Sequence, residues 1–259
     1  MRTTDFSTIL FNALQFSGND RNNISDETFQ QFRDFASTSL REAWETVQWS
    51  DICRVVDFTT TVDANGVGYF IPVAEAGEIL GVFSRNPQSS TKAVELEYGL
   101  YDDGTTNANA KRVIINSNIA SGSYLYRKQC PILNGDIYNP SIPYYFGSQI
   151  YFDSGSGDGT YTPVAGKPHN GNFYTCVVAN TTAGQNPNNT PASWTKIEIP
   201  YIFGSFCSWN CCAMWYASEG MIQEAGVMDG KAKLILEQEY DKFLSQQAQF
   251  GRINMYKTY

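Results

Sequence analysis

The sequence predicts an α+β protein: a discontinuous helical bundle from both chain ends, with an inserted antiparallel β-region and a small β insertion module. Three observations predict it. Apolar residues recur at three- and four-residue steps near both ends. Short alternating runs rich in β-branched and aromatic residues fill the stretch after Arg54. Gly, Pro, Asn, Tyr and Thr then dominate residues 131–200. The expected division is 1–53 with 201–259 for the helices, 54–143 for the β-region and 144–200 for the aromatic-cored insertion.

Residues 5–15, "DFSTILFNALQ", predict a short helix ended by "SGND". Ser25 and Asp26 then offer a helix start, with acids in the first turn where the helix dipole favours them. From there Phe29, Phe32, Ala36, Leu40, Ala43 and Val47 fall on one face. Trp44 widens the stripe, and Arg41 and Glu45 form an i,i+4 pair on the opposite side. The runs "RVVDFTTTV", "GYFIPV", "EILGVF", "VELEYGLY", "RVIIN" and "SYLYRK" predict about six antiparallel strands, punctuated by "DANG", "RNPQSS" and "SNIASG". Within 131–200 only "FYTCVVAN" and "WTKIEIP" read as strands. Helical spacing returns with Cys207, Cys211, Met214, Ser218 and Met221, and again with Met228, Ala232, Leu236, Tyr240, Phe243 and Ala248. The polar-aromatic end "GRINMYKTY" is expected to be non-helical. The helix over 25–47 is expected to pack against the two C-terminal helices.

Bulk properties exclude several functions. The net charge is −8, and Lys and Arg form no block, which argues against a general affinity for phosphate backbones. No run approaches the roughly 18 apolar residues of a membrane helix. The start lacks the apolar core of a secretion signal, so the six cysteines are expected as reduced thiols.

Catalytic chemistry finds little support. With His169 the only histidine, a His-dependent triad or multi-His metal site cannot be assembled. Cys207, Cys211 and Cys212 crowd one helical region but lack a fourth ligand at a metal-site spacing. Gly166–Lys167 is followed by Pro168, where a phosphate loop needs Ser or Thr. Asp102 and Asp103 read as a solvated turn. No enzyme, metal or cofactor is expected.

The stretch "LREAWETVQWSDICRV" resembles the head-to-tail adaptor, or neck connector, proteins of tailed bacteriophages. Those show an Arg-Leu-Arg-x-Ala-Trp-like helix ending in a Trp-Pro-like corner. Here the corner is Trp49-Ser50, without the proline. "EILGVFSRNP", "VELEYGLYDDG" and "SYLYRKQCPI" look like that group's β-region, and "YASEGMIQEAGVMDGKAKLILEQEYDKFLSQQAQFGRINMY" looks like its closing helices and tail. The resemblance spans roughly residues 5–130 and 201–259. It implies a structural virion protein of the phage neck, assembled in the host cytoplasm. The partners implied are the portal protein, tail-side neck or tail proteins, and copies of itself in a ring, a dodecamer matching the portal. DNA would be passing cargo only. Arg252, Tyr256 and Tyr259 would form an arm onto the portal or a neighbouring subunit, since Arg and Tyr are favoured interface anchors. A frayed tail without function fits the same residues.

The insertion "GNFYTCVVANTTAGQNPNNTPASWTKI" is similar to small chitin-binding type 3 carbohydrate-binding modules. That resemblance implies Tyr161, Tyr174 and Trp194 as sugar-stacking residues. Tyr174 and Trp194 as the core of a tiny domain is the competing reading. The resulting alternative function is a carbohydrate-binding tail or baseplate protein.

Overall fold

The computed structural model describes residues 2–20, 24–102, 111–153 and 171–255. The protein is mixed α and β, with four α-helices among the described residues. It divides into two compact units: Met1–Val47 with Pro131–Tyr259, and Gln48–Cys130. The first boundary therefore falls six residues before the expected one, and the second thirteen.

In the first unit, β1 (Thr3–Thr4) leads into α1 (Phe6–Ser17) and α2 (Asp26–Thr46). Gly18 ends α1 in the left-handed region at φ 75°, a conformation that glycine adopts without Cβ strain. Ser25 caps α2 as expected: its side chain accepts from the Thr28 N–H at 3.1 Å, with Asp26 and Glu27 in the first turn. Phe29, Phe32, Ala36, Leu40, Ala43 and Trp44 are buried, and Val47 is half-buried. Arg41 and Glu45 lie on the exposed face.

The second unit holds β2 (Cys53–Thr59), β3 (Thr61–Val62), β4 (Gly68–Phe70), β5 (Ala76–Phe83), β6 (Glu95–Leu96), β7 (Tyr98–Asp102), β8 (Lys111–Ile115) and β9 (Ser121–Lys128). They form two antiparallel sheets, β2-β9-β5-β6 and β3-β4-β8-β7. Only Thr60 separates β2 from β3, and only Glu97 separates β6 from β7. The eight pieces therefore run as six bent strands whose pairings link the two sheets into a ring, with β2 and β7 each paired on one side. Two bulges in β5 supply local bending. Its core is Phe58, Phe70, Ile79, Val82, Val113, Ile115, Tyr124 and Tyr126, with Phe58 stacked on Phe70 at 4.1 Å.

Back in the first unit, β10 (Asp136–Ile137), β11 (Gln149–Asp153), β12 (Gly171–Cys176) and β13 (Trp194–Lys196) form one sheet in that order. The β10–β11 pair is parallel and the others antiparallel. The sheet thus begins at residue 136, earlier than the expected module start at 144. Strand β11 was missed because Ile150, Tyr151, Phe152 and Asp153 are all buried, so no polar alternation marks it. Tyr151 and Phe173, opposite each other on one face, pack against Phe6 of α1 and Phe29 of α2. Ile150, Phe152, Cys176 and Trp194 form a second aromatic cluster with Tyr138 and Tyr144. The sheet is therefore shared wall rather than a module held on a surface loop.

Asp5, Asn172 and Lys196 lock α1 to this sheet. The Phe6 N–H donates to Asn172 Oδ1 at 3.3 Å, while Asn172 Nδ2 and Lys196 Nζ both reach Asp5 Oδ1 at 2.8 Å. A distant strand thereby satisfies one of the orphan donors at the helix start. Beyond it, β14 (Ile199–Pro200) pairs with β1 and leads into α3 (Tyr201–Ser218) and α4 (Ile222–Met255).

Helix α3 is apolar on nearly every side, the pattern of a helix covered all round. Phe16 of α1 stacks on Trp209 at 3.9 Å, and Phe32 of α2 stacks on Trp215 at 5.2 Å. Helix α2 thus packs on α3 and the sheet, while α4 lies against α3. Contrary to expectation, "GRINM" continues α4 to Met255. Gly251 costs only about 1 kcal/mol in a helix and no proline stops it.

Candidate assembly surface and aromatic cleft

Helix α4 is positioned by the turn before it. Gly220, at φ 78°, lets the Gly220 and Met221 N–H groups return to the Ala217 and Tyr216 carbonyls, which closes α3. Three residues then join α3 to α4, so the two helices run antiparallel. Among the residues of α4 whose side chains are described, Ala225, Ala232 and Leu236 are buried. Two alanines on this face let the helix axes approach closely.

The rest of α4 presents an unusual surface. Ile222, Val227 and Leu234 are 69%, 57% and 53% exposed, and Tyr240 and Leu244 are exposed as well. No residue between 237 and 245 is buried. At 1.5 Å per residue, the 34 residues of α4 span about 51 Å against about 27 Å for the 18 of α3. The helix therefore outlasts its partner by about 24 Å.

Of the expected arm, Arg252 lies on the backbone of α4, and its side chain lies outside the described residues. Tyr256 and Tyr259 lie outside them too, as do Tyr161 and His169. The two remaining sugar-stacking candidates are in the aromatic cluster. Trp194 is 6% exposed and meets Tyr144 edge-on at 5.5 Å. Tyr174 is half-buried, its ring edge-on to Phe152 at 6.3 Å, and burial raises its phenol pKa. Trp194 therefore serves as core, and Tyr174 stands at the edge of the same cluster.

The exposed aromatics of this module are others: Tyr145, 60% exposed, and Phe146, 74% exposed. They sit at a turn closed by Gly147 at φ 83°. The sequence signal was "PYYFGS", three aromatics running into a turn glycine. Beside them opens a cleft of about 570 Å³ whose lining includes Asn134, Asp136, Asn139, Tyr144, Ser148 and Gln149. The lining is pre-ordered. Gln149 accepts from the Asn134 N–H at 3.1 Å and donates to the Ile132 carbonyl at 2.8 Å. Asp136 holds Arg33 of α2 at 2.9 Å. The Tyr144 hydroxyl accepts from the Asn139 N–H at 2.8 Å, and burial raises its pKa. Amides, hydroxyls and the Asp136 carboxylate thus line the cleft together with Ile137, Ile142 and Ile150.

The cysteines are thiols: Cys176, Cys207, Cys211 and Cys212 are buried, Cys53 and Cys130 half-buried. Burial pushes Cys211 up to about 12 and Cys212 up to about 11, far from a reactive thiolate. Among the described residues no group of three His, Cys, Asp or Glu side chains could hold a metal ion. No helix among them is long and apolar enough to cross a membrane. Compared with known proteins, the chain matches no protein-family model and no curated protein.

Proposed function

We propose that this chain is a structural virion protein of a tailed bacteriophage, the head-to-tail adaptor of the neck. In this reading the four helices act as one discontinuous bundle that builds a ring, a dodecamer under the portal. The ring extends the DNA channel and offers the docking surface for tail-side proteins, and the chain performs no catalysis. The observation that carries the reading is α4, which runs about 24 Å past α3 and exposes Tyr240 and Leu244 on the way. A helix prolonged beyond its own fold, with apolar side chains in water, is what an intersubunit arm needs. Arg252, Tyr256 and Tyr259 would complete the contact with the portal or a neighbour. A net charge of −8 suits a wall along which DNA must slide without sticking.

Quantitative mass spectrometry of purified virions tests this. One copy per portal subunit is expected, and absence from the particle would sink the proposal. Removing residues 246–259 is expected to abolish portal docking and leave the remaining fold intact.

The cleft beside Tyr145 and Phe146 favours a second reading, a carbohydrate-binding tail or baseplate protein. A copy number in threes or sixes, with chitin retention that depends on Phe146, would support it over the first.

A further inference from the structure

We propose that Lys196 and Asn172 become joined by an isopeptide bond, formed by the chain itself with Asp5 as the catalytic acid–base. Asn172 stands on β12 and Lys196 on β13, where Lys196 pairs directly with Tyr174. Asn172 is therefore the diagonal neighbour of Lys196 on the same face, within reach of a long side chain. Both side chains converge on one atom: Lys196 Nζ and Asn172 Nδ2 each lie 2.8 Å from Asp5 Oδ1. The amine nitrogen is thus at most 5.6 Å, twice that distance, from the amide nitrogen.

The three side chains and one backbone group supply what amide exchange needs. Lys196 brings the nucleophile, a primary amine. Asn172, 3% exposed, brings the electrophilic carbon. Its Oδ1 accepts from the Phe6 N–H at 3.3 Å. Phe6 is the first residue of α1, so the positive end of a 12-residue helix faces the oxygen on which negative charge gathers. Asp5 touches both nitrogens and can therefore carry a proton from one to the other. The Lys196 and Asp5 side chains are 35% and 32% exposed, which leaves the leaving group a way out.

The step balances within the chain. Asp5 takes a proton from the Lys196 ammonium, and the freed amine attacks Asn172 Cγ while the carbonyl electron pair moves onto Oδ1. Asp5 then gives that proton to Nδ2. The carbonyl re-forms, the Cγ–Nδ2 bond breaks and ammonia leaves. The second proton on the joined nitrogen passes through Asp5 to the ammonia, which departs as ammonium. No oxidant, reductant or cofactor is consumed. Because the Lys196 ammonium must first give up a proton, joining follows folding slowly, and the Asp5–Lys196 ion pair is the state that precedes it.

The product ties β12 to β13 and closes the segment between them into a loop, as a disulfide would, but in a form that reductants do not open. It stands without either reading of the chain's function.

Intact mass spectrometry of the folded full chain, followed over days, tests it. A species lighter by one ammonia, about 17 Da, is expected to accumulate. In that species trypsin should no longer cut after Lys196, and fragmentation should place the link at Asn172. Lys196→Arg keeps a cation beside Asp5 but lacks the amine, so it should hold its full mass. Asp5→Asn keeps the shape but cannot carry the proton, and its conversion should slow about a hundredfold or more. A chain held unfolded in guanidinium chloride should not convert. A succinimide at Asn65, which precedes Gly66, gives the same mass loss, but Lys196→Arg would leave that loss in place. Full mass throughout the series would overturn the proposal. So would a loss that persists in Lys196→Arg, conversion of Asp5→Asn at the parent rate, or loss of water in place of ammonia, which would join Lys196 to Asp5.

Discussion

Asn210 of α3 donates to Ser39 of α2 at 3.1 Å, in a place where both side chains are buried. The same amide also reaches Glu42 Oε2 at 3.1 Å. Ser39 in turn donates to the Phe35 carbonyl at 2.8 Å, so the polar groups at this crossing are joined. A buried network of this kind fixes which turn of α2 meets which turn of α3, something apolar side chains alone leave loose.

Asn210→Ala is therefore expected to cost about 1–3 kcal/mol, the range for leaving buried partners unmade. Asn210→Asp should cost more, since it sets a buried carboxylate beside Glu42. Urea unfolding followed by the helical circular dichroism signal checks both, and an Asp variant as stable as the parent would contradict the network.

Acid should weaken both units. Burial raises the Asp5 pKa, but the Lys196 and Asn172 hydrogen bonds outweigh it and leave the carboxyl below its usual value. The Tyr126 hydroxyl, aided by Lys128, does the same for Glu75 against its own burial. A carboxyl with a depressed folded pKa contributes stability above its unfolded pKa and loses it as pH falls through the folded value. The loss should thus begin near pH 4 and continue downward. Asp5→Asn is expected to lower stability at neutral pH and to flatten this acid limb in the first unit. Thermal melts between pH 7 and pH 2 measure it.

In the second unit, a Cβ on Gly122 would lie 2.5 Å from the Phe83 carbonyl oxygen and 2.8 Å from the Phe58 ring. Backbone cannot step aside cheaply, so Gly122→Ala is expected to destabilise this unit by about 1–3 kcal/mol. Phe58 and Tyr124 resonances in a nuclear magnetic resonance spectrum should shift with it.

The two aromatic sets of the smaller sheet should separate cleanly. Trp194→Ala is expected to cost about 3–5 kcal/mol, as for other buried aromatics. Phe146→Ala, at an exposed turn, should change stability by no more than about 0.5 kcal/mol. Chitin pull-down with Phe146→Ala reads ligand binding without the folding defect that Trp194→Ala brings.

Thiol titration gives a fifth check. In the native protein only Cys53 and Cys130, half-buried, should react with an aromatic disulfide reagent, and Cys53 slowly because burial raises its pKa. All six should react after unfolding. Fast modification of Cys211 or Cys212 would contradict the packing of α3.

Local rules were sufficient for much of the fold. Ser25 caps α2 because its hydroxyl and the Thr28 N–H are neighbours in the chain, so no distant residue was needed to foresee it. The apolar stripe of α2 and the six β-runs were legible for the same reason: each has one face in water, and water imposes a period. Where both faces are buried the period vanishes, which hid β11. The Thr3–Thr4 strand was invisible because its partner lies almost two hundred residues on.

Function-bearing surface divides along the same line. Composition and spacing determined that helices stand at both ends, that aromatics crowd residues 131–200 and that glycines interrupt α4. Tertiary structure alone decided which of those residues face water. It buried Trp194 against Tyr144, left Tyr145 and Phe146 outside, and turned Ala225, Ala232 and Leu236 toward α3. Ile222, Val227 and Leu234 were thereby left exposed. An apolar side chain reads the same in sequence whether it meets a core or solvent, because exposure depends on what the rest of the chain brings beside it.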